Sequence, residues 1–120
     1  YQLVPFDTIK GNNFNGIYHL SNDGCISIEE TGQYLVNIAI ANKSNTFANY
    51  RAISMPQGGS QITPLSTSNI IGVSGHSTYS HMTFGGVFNR GERIGLQINN
   101  TSDMTLLSGS FGTYIEVIKL

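Results

Sequence analysis

The sequence predicts an all-β fold, an antiparallel sandwich of ten short strands in one domain spanning residues 1–120. Three observations predict it. Gly and Asn interrupt every candidate 3.6-residue period, so no amphipathic helix can be drawn. Runs rich in Val, Ile, Thr, Tyr and Phe alternate apolar with polar side chains. Gly, Asn, Asp and Pro clusters separate those runs at short intervals, as reverse turns require.

Taken in order, strands are expected near 2–6 (QLVPF), 16–20 (GIYHL), 25–28 (CISI), 33–42 (QYLVNIAIAN) and 49–55 (NYRAISM). Others follow near 61–65 (QITPL), 78–88 (TYSHMTFGGVF), 93–99 (RIGLQIN), 104–109 (MTLLSG) and 113–120 (TYIEVIKL). SNDG at 21–24 suits a tight turn, and so do PQGGSQ at 56–61 and NRGE at 89–92, because Asn and Gly tolerate positive φ. GNNFNG at 11–16 and STSNIIGVSGHS at 66–77 read as longer loops.

Composition narrows the function. Charged residues make up 11% of the chain, against about 25% in an average globular protein. Hydrophobic content is an ordinary 39%, which separates the chain from a disordered one. A net charge of −1, with Lys and Arg scattered, gives no basic patch for nucleic acid or anionic lipid. No apolar run reaches the roughly 20 residues of a membrane-spanning helix. The chain opens on Tyr1 rather than Met and is expected to be an excised or processed fragment, from which a secretion signal could have been lost. Its single cysteine, Cys25, forms no intrachain disulfide and reads as a small buried thiol.

Two strands carry a conflict. A strand on the surface of a small domain is apolar on one face only, since water covers the other. In 113–120, Ile115 and Val117 form one apolar face, yet Tyr114, Ile118 and Leu120 flank Glu116 on the other. In 33–42, Tyr34, Val36, Ile38 and Ile40 oppose Leu35, Asn37, Ala39 and Ala41, which are small or uncharged. The two strands are expected to lie side by side, with one face in the sandwich and the other against another subunit.

Three stretches then match one superfamily in order. GQYLVNIAI at 32–40 resembles the Gly-x-Tyr strand of the tumour necrosis factor and complement C1q-like jelly rolls. FGGVFNRGERIGLQI at 84–98 resembles their Gly-Gly-x-Phe strand, the turn after it and the next strand. GSFGTYIEVIKL at 109–120 resembles their closing strand. ISIEETGQYLVNIAIAN and MPQGGSQITPL are also similar to the heads of bacterial collagen-like surface proteins of the spore nap, and phage fibre heads share the architecture. The resemblance implies a jelly roll that assembles as a homotrimer about a threefold axis. It implies that Leu35 and Asn37 face that axis, with Tyr114, Glu116 and Ile118 from the closing strand. Thr83 stands where relatives carry an axial aromatic. Three copies of Glu116 would repel, so each is expected to pair with Arg51 or Arg93, bind water, or titrate upward.

Other chemistry is thin. His76 and His81 are five apart and fall on opposite strand faces, and His19 does not complete a cupin-like metal set. Asp7, Asp23 and Asp103 could each complete a Ser/His triad on paper, but no Gly-x-Ser-x-Gly elbow exists. Asp23 and Asp103 supply one carboxylate per loop, which is turn chemistry rather than a calcium site. No enzyme activity, cofactor or metal is expected. Asn42, Asn99 and Asn100 fit the N-x-Ser/Thr pattern, which is idle in a bacterial source. Tyr50 and Tyr79 are the candidate ligand contacts, with Phe47 and Phe14 as further aromatics able to stack on sugar.

The expected function is that of a trimeric head of a bacterial or phage fibrous or collagen-like surface protein. It would drive trimerisation and mediate recognition or adhesion on a cell surface, spore exosporium or virion. Its partners would be itself and a host-surface protein or glycan, without nucleic acid or membrane insertion. A trimeric lectin-like head and a soluble cytokine-like ligand are the alternatives.

Overall fold

A computed structural model of the chain describes residues 2–6, 9–11, 17–42, 47–73, 76–99 and 113–120. The expected strand at 104–109 lies outside them, as do Asp7, residues 12–16 with Phe14, Asn100 and Asp103.

The strands are β1 (Gln2–Val4), β2 (Ile9–Gly11), β3 (Tyr18–Leu20), β4 (Ile26–Ile28), β5 (Gly32–Asn42), β6 (Phe47–Met55), β7 (Thr63–Ile71), β8 (Thr78–Phe88), β9 (Arg93–Ile98) and β10 (Tyr114–Lys119). They form two sheets packed face to face. One runs β3-β4-β9-β6-β7, with β1 pairing β9 beyond the end of β4, and the other runs β2-β10-β5-β8. All pairings are antiparallel except β2 with β10, which is parallel.

Period-two alternation explains what lies between the sheets. Tyr34, Val36, Ile38 and Ile40 from β5 are fully buried, with Ile115 and Val117 from β10 beside them. Ile26, Ile28, Tyr50, Ala52, Ile94, Leu96 and Ile98 come down from the other sheet. Each large apolar side chain buried this way contributes about 1.5–3 kcal/mol. The Tyr50 hydroxyl bonds Ser80 Oγ at 2.7 Å and Ser80 Oγ donates to the Asn69 carbonyl at 2.9 Å, which ties β6, β8 and β7 together at the edge of the sandwich.

All three expected turns form, each with a glycine at positive φ: Gly24 (80°), Gly58 (68°) and Gly91 (90°). The longer reading of 66–77 as loop does not hold, because Ser66–Ile71 belongs to β7. Its Ser, Thr and Asn residues look like loop composition because β7 is an edge strand, where Pro64 is tolerated and few side chains need to be apolar. β2 was not expected either. Three residues carry no periodicity of their own, and only pairing with Ile115, Glu116 and Val117 makes them a strand.

A charged brace closes the 21–24 turn. Arg93 Nη1 donates to Asp23 Oδ2 at 2.7 Å, while its other amino group reaches the Gly59 carbonyl. Cys25 N–H donates to Asp23 Oδ1 at 3.1 Å, and the Ser21 hydroxyl lies within bonding distance of the same carboxylate. Partial burial works against ionising Asp23, but the Ser21, Cys25 and Arg93 hydrogen bonds outweigh it and hold the pKa below its ordinary 3.8. Beneath the brace, Cys25 packs with Ile53 and Met55, and burial pushes its thiol up to about 12, so it is no nucleophile.

Two outcomes follow from this turn. Gly24 has a left-handed backbone, and a Cβ there would overlap Pro5, so Gly24→Ala lowers the unfolding free energy by about 2 kcal/mol or more in urea titration. Because the folded pKa of Asp23 is depressed, its contribution is present above pH 3.8 and is lost as pH falls through the lower folded value. Asp23→Asn is therefore less stable than the parent at neutral pH, and melting curves of the two converge toward pH 2.

Candidate functional site

The open face of the β2-β10-β5-β8 sheet follows from the burial of its other face. With Tyr34, Val36 and Ile38 turned inward, Leu35, Asn37 and Ala39 must point outward. Register then sets their neighbours on both sides. Leu35 lies between Gly85 and Ile118, Asn37 between Thr83 and Glu116, and Ala39 between His81 and Tyr114. Three rows thus cross three strands, spaced by about 7 Å along β5.

The middle row is polar and internally bonded. Thr83 Oγ1 donates to Asn37 Oδ1 at 2.7 Å, and Asn37 Nδ2 donates to Glu116 Oε1 at 2.7 Å. Asn37 is thereby fixed at both ends of its amide, and Glu116 is held by a charge-assisted bond. The flanking rows carry Leu35 and Ile118 on one side and Ala39 and Tyr114 on the other, all half-buried, while the β8 positions Tyr79, His81, Thr83, Gly85 and Val87 stand exposed. Gly85 opposite Leu35, and Ala39 between His81 and Tyr114, leave the face stepped rather than flat.

The expected ion pair of Glu116 with Arg51 or Arg93 is not found within the chain. Both arginines lie on the other sheet, where Arg51 Nε donates to Gln97 Oε1 at 2.8 Å and Arg93 holds Asp23. Glu116 takes its hydrogen bond from Asn37 instead, a partner that the register supplies directly. Charge from Glu116 still reaches the core. Tyr18, whose buried hydroxyl has no hydrogen-bond partner, has its pKa raised by burial first, then by Glu116 and Tyr34.

The candidate ligand aromatics separate. Tyr50 is fully buried and presents no ring face to a ligand, a correction that follows from its alternation with Arg51. Tyr79 is 68% exposed and Phe47 51% exposed. Among the described residues, no three His, Cys, Asp or Glu side chains converge to hold a metal ion. His19 instead contacts Glu29 at 2.8 Å, on the β3 edge.

Replacing Asn37 with Asp puts a second carboxylate against Glu116 where an amide donor now sits. Asn37→Asp is therefore destabilised by about 2 kcal/mol at neutral pH. Thermal melts of both proteins at neutral pH read this directly.

No family profile matches the chain, and no curated protein matches it. Among solved structures it is similar to the Eiger TNF from S. frugiperda, with a TM-score of 0.65 at 16% identity, covering 86% of this chain and 68% of that one. At that identity the likeness concerns the fold. With two sheets, no helix among the described residues, and this neighbour, the chain has the tumour necrosis factor/C1q-like jelly-roll fold.

Proposed function

We propose that the chain is a homotrimeric head domain of a fibrous or collagen-like surface protein, of bacterial or phage origin. It holds three chains in register and presents three identical faces to a host or partner at a cell surface, spore or virion. One observation carries this reading. The open face of the four-stranded sheet sets Leu35 with Ile118, and Ala39 with Tyr114, on either side of a carboxylate already bonded by Asn37.

Such a face suits closure by copies of itself. The apolar rows gain by leaving water, and the polar row enters the contact with its Asn37 and Thr83 groups already paired. Three copies of Glu116 are the costly element, which the Asn37 donor and bridging water would offset. Thr83, where an axial aromatic would fill space, leaves room for that water. The bacterial or phage source rests on the resemblance of the sequence to such heads. No residue is given a catalytic role.

Light scattering on the intact chain tests the assembly. A trimer gives about 39 kDa, three times the 13.0 kDa of one chain. Leu35→Glu, which adds three charges beside the axis, returns the mass to that of a single chain while the far-ultraviolet circular dichroism keeps its β signature. A parent protein that runs as a monomer even at high protein concentration sinks the proposal.

A further inference from the structure

Where the β6–β7 turn meets the β8–β9 turn, at one end of the sandwich, a cleft of about 410 Å³ opens to solvent. That volume lies within the roughly 300–1,000 Å³ of small-ligand sites. Ser54, Gln57 and Gln61 line one side with the ring of Pro56, and Arg90 and Glu92 line the other.

Two side chains here point to a ligand. Ser54 is only 8% exposed, because it follows Tyr50 and Ala52 on the inward side of β6, and it lines the floor of the cleft as a small polar residue. Arg90 is the second. Its backbone N–H donates to Thr31 Oγ1 at 2.9 Å, but its guanidinium takes part in none of the ion pairs of the described residues. Glu92 has one carboxylate oxygen occupied by the Asn89 N–H at 2.8 Å, which leaves the other to accept.

The walls are set before any ligand arrives. Gly91 presses so close to Gln57 that a Cβ would sit 2.6 Å from Gln57 Cδ. Arg93 pins the Gln57 to Gln61 wall through the Gly59 carbonyl. A lining of hydroxyl and amide groups, each able to donate or accept, matches adjacent hydroxyls on a ring, and Pro56 offers an apolar surface to its C–H face. Arg90 matches a carboxylate.

We propose that this cleft binds a monosaccharide bearing a carboxylate, of the hexuronate class. The site stands apart from the open face of the four-stranded sheet and does not depend on the trimer.

The test is a ¹H–¹⁵N NMR titration of the full chain with glucuronate, glucose and acetate in parallel. Glucuronate moves the amides of residues 54–63 and 89–92 with millimolar affinity, and glucose and acetate move them several-fold less. Arg90→Gln, an exposed change that leaves the melting temperature in place, weakens glucuronate about tenfold. Ser54→Ala weakens both sugars. Shifts confined to other residues, no shift at millimolar sugar, or equal responses to glucose or acetate overturn the proposal. An Arg90→Gln protein that binds glucuronate as the parent does overturns it too.

Discussion

Tyr34, Val36, Ile38 and Ile40 fill the space between the two sheets with no exposed surface, and most of the molecule's behaviour follows from that packing. A strand cannot bury one row of side chains without committing the other row to the opposite side. Register along β5 then decides what Leu35, Asn37 and Ala39 meet on β8 and β10. A slip of one residue would place Asn37 in the core and Ile38 in water. The buried row therefore protects the pattern on the open face as well as the sandwich itself.

Sparse charge is used at the periphery, where it holds turns and ends. Lys119 pairs with Glu30 over Gly32, His19 with Glu29, and Arg93 with Asp23. None of these contacts lies on the open face, which keeps a single carboxylate among its β5 and β10 residues. Exposed contacts of this kind fix geometry more than they add stability. Arg93 shows the difference. Its value lies in joining the 21–24 turn, β9 and the 56–61 turn through one side chain.

Much of this was legible in the sequence wherever alternation was strong. β5, β8 and β10 appear at or within a residue of their expected bounds, because each presents a row of large apolar side chains at period two. The double character of TYIEVIKL was visible for the same reason. What escaped has a tertiary cause. β2 exists through its pairing with β10, and the second half of β7 is polar because an edge strand can be. Tyr50 looked like an exposed aromatic because a lone ring says nothing about which face it occupies. Its parity with Ala52 rather than Arg51 settles that. The end cleft left no mark in the sequence, since its residues come from two separate turns.

The position of the end cleft keeps it apart from the open sheet face even in so small a domain. The open face is built from β5, β8 and β10, whereas the cleft is lined by residues of the β6–β7 and β8–β9 connections. Turn residues can change without disturbing the buried rows, because the turns are anchored by backbone contacts: Gly59 N–H to Pro56, Gly91 N–H to Ile28, and Glu92 N–H to Asn89. Substitution at Gln57, Gln61 or Arg90 is thus free to reshape the cleft while the sheet face keeps its register. A scaffold of this kind separates the residues that must stay fixed from those that can vary, and it does so by strand parity and turn placement alone.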